Sequence, residues 1–184
     1  MDEYAVVGGR GALTVFETYI KTTPERLWEA ITDPEMRAKY SFGVRTESRW
    51  TAGSVYKSSA PGPIPSSAGP ATTWETGGEI VEGENLEVDP PRRLVQTFRA
   101  LWSDEVKNAG TSRVTWEIEP VGGSCRLRVT HDRLPAGANS ELYGGWPMIL
   151  SGLKTLLETG ELLDTPGSLL YADPSGVLAG RPAQ

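Results

Sequence analysis

Between Ala138 and Gly160, Leu142, Trp146, Ile149, Leu153 and Leu156 recur at steps of three and four, with Leu150 and Leu157 beside them. That spacing draws one apolar stripe along a helix. Asn139 or Ser140 can cap its start, and Gly160 stands where a C-terminal cap glycine belongs. Pro147 lies inside the stretch beside Gly144 and Gly145 and predicts a bend there, because it cannot donate to the carbonyl of Tyr143.

Upstream the period shortens to two. Leu13–Lys21, Gly43–Ser48, Gly53–Ser59, Trp74–Glu82, Glu84–Val88 and Arg93–Trp102 read as strands, with Gly83 as a bulge or bend. Arg113–Glu119 alternates cleanly, with Val114, Trp116 and Ile118 on one face. Cys125–Arg133 alternates again, placing Cys125, Leu127, Val129 and His131 inward. Such alternation marks antiparallel sheet with one wet face, where Arg99, Arg113, Arg126 and Arg128 should lie opposite Glu117 and Glu119. Gly122-Gly123 joins two of these strands, and Ser103–Gly110 reads as a polar turn.

Two short helices interrupt the strands near the start. Thr23 is a good cap before Pro24, and Asp33-Pro34 ends the first helix and opens a second over Glu35–Lys39. The pair reads as a lid over one end of the sheet. Ala60–Thr73 is rich in Pro, Ser, Gly and Ala and reads as a long loop. Residues 1–10 read as a flexible leader, 11–160 as one domain and 161–184 as an irregular tail that Leu169, Leu170 and Tyr171 can dock. The expected class is α+β: a curved antiparallel sheet of six to seven strands wrapped around a long C-terminal helix. The sheet's apolar face and the helix's stripe have to cover one another, and the gap beneath such a helix is a natural ligand site.

Composition narrows the function. A net charge of −6 argues against nucleic acid as a partner, and no apolar run is long enough to span a bilayer. One cysteine, Cys125, builds no disulfide framework and is read as a small buried residue, so a cytoplasmic location is expected. With one histidine and one cysteine the chain has no metal, cofactor or hydrolase motif.

Six tryptophans are the unusual feature. Trp28, Trp102, Trp116 and Trp146 fall on faces predicted to point inward, where they form either plain core or the wall of an aromatic pocket. Phe98, Val129, Ile149, Leu150 and Leu153 would complete that wall. Gln96, on an apolar face, needs an interior partner; Gln96, His131 or Tyr143 could orient a ligand. His131 is also the one candidate general base, weighed against a structural role.

Several segments resemble a known group. Thr23-Pro24-Glu25-Arg26-Leu27-Trp28 through Asp33-Pro34, Gly83-Glu84 with Leu86–Val95, Thr130-His131, and Gly145-Trp146-Pro147 with Leu150, Leu153-Lys154 and Leu157-Glu158 carry the likeness. They resemble the helix-grip superfamily (SRPBCC) of START domains, the birch-pollen allergen and polyketide cyclases. Within it they resemble the branch named for homology to the C-terminal domain of the heat-shock-protein-90 ATPase activator. The resemblance implies a sheet–helix cavity for a hydrophobic small molecule and carries over no shared catalytic motif. A chaperone partner is not expected, since the eukaryotic cochaperone works with a large additional N-terminal domain. Three functions follow as expectations: a non-catalytic binder of a lipid, polyketide or aromatic molecule; a cyclase- or hydrolase-like enzyme using His131; and a protein-interaction module or homodimer with an apolar patch near Trp50, Trp74 or the tail.

Overall fold

The computed structural model of the chain describes residues 12–61, 78–102, 104–134 and 145–163. Strand β1 (Ala12–Ile20) leads into helices α1 (Pro24–Thr32) and α2 (Pro34–Tyr40). Strands β2 (Arg45–Ser48), β3 (Val55–Ser59), β4 (Glu79–Asp89) and β5 (Arg93–Ala100) follow. A short helix α3 (Asp104–Asn108) precedes β6 (Thr111–Val121) and β7 (Ser124–Leu134), and α4 (Trp146–Thr159) closes the described chain. The seven strands form one curved antiparallel sheet in the order β1-β7-β6-β5-β4-β3-β2.

The local chemistry explains the helix ends. The Thr23 hydroxyl accepts from the Arg26 N–H at 3.3 Å and the Asp33 carboxylate from the Met36 N–H at 2.7 Å. Each cap stands directly before a proline, whose missing donor costs nothing in a first turn. Gly160 ends α4 with φ 78°, its N–H on the Leu156 carbonyl at 2.9 Å.

Four readings are corrected. Helix α4 is capped by Gly145, and Pro147 lies in its first turn, where it opens the helix; Asn139 and Ser140 are outside the described residues. Residues 135–144, with Leu142 and Tyr143, are outside the described residues. Ser103–Gly110 contains helix α3, held by the buried Val106 against Ala100 and Leu134. β5 ends at Ala100 rather than Trp102. Gly83 pairs in register with Tyr56 inside continuous β4, and the register shift falls between Asn85 and Glu87. That shift turns Leu86 and Glu87 both outward. The leader, most of the Pro/Ser loop, Trp74 and most of the tail are outside the described residues.

The core lies between the sheet's inner face and the helices. Leu94, Trp116, Ile118, Leu127 and Val129 from the sheet meet Trp146, Leu150, Leu153, Leu156 and Leu157 of α4 and Leu27, Ala30 and Ile31 of α1. Each buried leucine, isoleucine or valine among them contributes about 1.5–3 kcal/mol of burial free energy. Two further devices seat α4. Gly152 lies against Tyr40, where an added Cβ would be 3.2 Å from the Tyr40 carbonyl oxygen, so α2 and α4 pack backbone to backbone. Lys154 donates to the Tyr19 carbonyl at 2.6 Å, and the Lys21 N–H donates to Glu158 at 2.8 Å.

On the outer face Arg99 pairs with Glu82, Arg113 with Asp132, Arg128 with Glu17, and Arg126 with Glu119. Glu117 lies opposite Arg128 in register, as expected, but makes its ion pair with Arg93 on its other side. Apart from the partly buried, two-bonded Arg113–Asp132 pair, these pairs are partly solvent-exposed and each adds little stability.

Candidate functional site

The strand registers set the inner face out in rows. One row runs Leu94, Trp116, Val129 and Phe16, through Leu94–Trp116, Trp116–Val129 and Val129–Phe16 pairings. The next runs Asn85, Gln96, Val114 and His131. An apolar, aromatic row and a row carrying three polar side chains therefore lie side by side beneath the helices.

The aromatic part is continuous. The Trp116 and Trp146 rings stand edge to face with centroids 5.3 Å apart. Trp146 continues to His131 at 6.1 Å and to Phe16 at 6.3 Å. His131 continues to Phe98 at 5.0 Å, and Phe98 to Trp102 at 6.3 Å. These separations lie in the range of favourable aromatic pairs.

His131 is wholly buried. The Trp146 indole N–H reaches its Nδ1 at 3.2 Å, and Ser112 Oγ lies 2.7 Å from its Nε2. An indole can only donate, so Nδ1 must accept. Nε2 then carries the proton toward Ser112, whose hydroxyl passes a bond on to the Phe98 carbonyl at 3.1 Å. Burial pulls the imidazole pKa down to about 4, with Asp132 opposing weakly. The ring is neutral near pH 7 and both nitrogens are engaged. To accept a proton from a substrate it would have to give up the Trp146 bond.

The polar row is also internally bonded. Gln96 Nε2 donates to Asn85 Oδ1 at 2.8 Å, and Asn85 Nδ2 reaches Ser48 Oγ at 2.7 Å and Ser54 Oγ at 2.9 Å. Asn85 is fully buried. Its replacement by Ala would strand the Gln96 amide, at about 1–3 kcal/mol for a buried group left unpaired, while Ser48 and Ser54 keep their bonds to the Val55 and Thr51 carbonyls. Asn85→Ala should therefore lose about 2 kcal/mol in a urea titration with little change in the slope of the transition.

Of the residues expected to line a site, the structure brings together Phe98, Trp116, Val129, His131, Trp146, Leu150 and Leu153, with Gln96 on the adjoining row. Trp28 and Ile149 are half-buried and pack on the rim of this core. Trp102 is half-buried beyond the end of β5, against Phe98 and the smaller clusters around Val106 and Tyr56. Tyr143 is outside the described residues. Trp50 packs half-buried against the core. Cys125 is buried, its thiol 3.2 Å from the Thr22 carbonyl.

Sequence reasoning missed Asn85, Ser48, Ser54, Ser112 and Arg37. Arg37 Cζ lies 5.4 Å from the Trp116 ring centroid, so this side chain of α2 turns toward the sheet. Its spacing of three from the buried Tyr40 was the available signal, since residues three apart share a helix face. A groove of about 460 Å³ on the outer side of the sheet, lined by Asp89, Arg92, Arg93, Glu117, Arg126 and Arg128 among others, lies away from this aromatic interior. Its arginines are already paired with carboxylates.

Among the described residues no group of three or more His, Cys, Asp or Glu is arranged to hold a metal. No described helix is long and apolar enough to cross a membrane.

A family model described as "Activator of Hsp90 ATPase homolog 1-like protein" matches residues 21–158. A search of curated proteins finds no match. Among solved structures, protein CV1439 from Chromobacterium violaceum is 22% identical, with a TM-score of 0.60 over 79% of this chain and 96% of that one. An HSP90 activator from Plasmodium falciparum, PFC0360w, is 20% identical, with a TM-score of 0.60 over 80% and 96%. DynU16, a protein in the dynemicin biosynthetic locus, is 20% identical, with a TM-score of 0.60 over 82% of this chain and 48% of that one. At these identities the likeness is one of fold.

Proposed function

Given that the chain belongs to the family of Activator of Hsp90 ATPase homolog 1-like proteins, we propose that it binds a hydrophobic small molecule between the sheet and helix α4, without catalysing a reaction on it. The observation that carries this reading is the division of the sheet's inner face. A wall of aromatic rings under α4 adjoins a buried row of amide and hydroxyl groups. Ligand sites are built this way: apolar area supplies affinity and a few fixed polar groups set orientation. Trp116, Trp146, Phe98, Val129, Leu150 and Leu153 form the apolar part of the proposed site, with Gln96 at its polar side. The neutral, doubly engaged His131 fits a part that holds Trp146 in place better than it fits a general base.

Native mass spectrometry of gently purified protein, followed by organic extraction, tests the reading directly. A discrete added mass, or saturable one-to-one binding of the neutral dye N-phenyl-1-naphthylamine with quenching of tryptophan fluorescence, is the expected result. A bare chain mass together with no saturable uptake of the dye would remove the proposal.

A further inference from the structure

We infer that the ligand of this site is a hydrophobic anion, an apolar body carrying one carboxylate or sulfonate-like group, and that Arg37 receives the charge. The inference rests on the binding reading above and names its ligand class.

Arg37 is one turn before Tyr40 on α2, and its guanidinium lies over the indole of Trp116, itself 1% exposed. The charged head is therefore on the inner side of α2, against the aromatic wall. Its Nε–H is sealed from solvent and reaches no acceptor among the described residues. Its Nη1 reaches the Ile31 carbonyl at 3.4 Å, longer than an ordinary N–H···O bond.

Arg26, Arg49 and Arg133, which enter no ion pair among the described residues, are exposed to water, and seven further arginines are paired. Arg45, Arg92, Arg93, Arg99, Arg113, Arg126 and Arg128 each face a carboxylate within 4 Å, all at partly exposed positions. Among the described residues Arg37 enters no ion pair. The acidic groups of its own helix and its cap, Glu35 and Asp33, are committed to Arg45 and to the Met36 N–H.

The two phenols that feel the Arg37 charge supply no negative charge either. The Tyr40 hydroxyl donates to the Ala30 carbonyl at 2.8 Å, and the Tyr56 hydroxyl to the Thr97 carbonyl at 2.7 Å. Burial raises both phenols, Tyr40 to about 12, although the Arg37 charge pulls each the other way. Both stay neutral near pH 7. A buried N–H without an acceptor and a cation without a counter-ion both lower stability. An anionic ligand seated against Trp116 would supply acceptor and counter-charge together. The planar guanidinium suits a two-oxygen head group, which a lysine ammonium would hold only as a point charge.

The test uses two dyes with one skeleton: 1-anilinonaphthalene-8-sulfonate, which carries a sulfonate, and N-phenyl-1-naphthylamine, which does not. Both are titrated into the whole protein and into Arg37→Met, Arg37→Gln and Arg37→Lys, with circular dichroism confirming the fold of each. The expected result is saturable binding of both by the parent protein. Arg37→Met and Arg37→Gln should lose about tenfold or more in affinity for the sulfonate, the size of a hydrogen bond to a charged group, and less than threefold for the neutral dye. Arg37→Lys should recover part of the sulfonate affinity. If Met fails to fold, Gln and Lys decide. Equal losses for both dyes, or an unchanged sulfonate affinity, would overturn the anion inference and leave the binding reading standing. Failure of the parent protein to bind either dye would overturn both.

Discussion

Gly83→Ala should lower the free energy of unfolding by about 3 kcal/mol and the midpoint of thermal unfolding by about 9 °C. A Cβ on Gly83 would lie 2.2 Å from the Thr97 carbonyl oxygen and 2.5 Å from the Tyr56 ring. Neither neighbour can yield cheaply. The carbonyl belongs to β5, the next strand, and it accepts the Tyr56 hydroxyl at 2.7 Å, which fixes the ring across the glycine. Rotating Tyr56 away would break that bond and uncover the cluster of Val44, Ile80 and Val81 while leaving the carbonyl clash in place. Tyr56→Leu in the Gly83→Ala background should therefore not restore stability. Gly123→Ala, where an added methyl meets nothing within 4 Å, should stay within about 0.5 kcal/mol of the parent. A Gly83→Ala protein melting with the parent would mean that β4 and β5 do not close over Tyr56 as described.

Acid should unfold the protein through His131. The imidazole titrates near 6.5 in an unfolded chain and about 4 in the folded one, because burial disfavours its charged form. Between these values the unfolded state binds more protons, so stability falls as pH falls. The contribution is complete above pH 6.5 and lost by about pH 4. The distance between these two values sets its size at about 3 kcal/mol. Asp132 and Glu158 are held below the ordinary carboxylate range by Arg113 and Lys154, so their losses fall at lower pH. His131→Gln should be less stable at pH 7 but show a flat profile from pH 6.5 to about 5, where the lowered carboxylates Glu35, Asp132 and Glu158 start to lose their own contribution. A slope in that window unchanged by the substitution would assign acid sensitivity to other groups.

The elements that were legible in the sequence are those with a period and a cap. The α1 and α2 starts at Thr23-Pro24 and Asp33-Pro34, and the alternation of Val114–Ile118 and Cys125–His131, correspond to the observed elements and faces. What misled was local chemistry with two meanings. A proline among apolar helical positions marks either a kink or a beginning, and Pro147 marks a beginning. A glycine in a strand marks either a bulge or a place where something lies close above it, and at Gly83 that is the Tyr56 ring, brought by a strand pairing that no local window contains.

The site followed the same rule. Inward aromatics and His131 were visible because alternation alone sets their face. Asn85 was not, because the register shift just beyond it breaks the alternation that would have placed it. Arg37 was passed over because charged residues on short amphipathic helices ordinarily face water.

The sheet's order also sets a schedule. Among the described strands β1 hydrogen-bonds only with β7, and its Glu17 meets Arg128, 111 residues further along the chain. At the roughly 5–20 residues per second of protein synthesis, β1 would wait about 6–22 seconds for its partner to be made. Throughout that interval its alternating Leu13, Val15, Tyr19 and Phe16, Ile20 faces would both be open, and its edges unpaired. The strand that joins the sheet through β7 is therefore made before the six other described strands, and the nascent chain is most open to mispairing before β7 arrives.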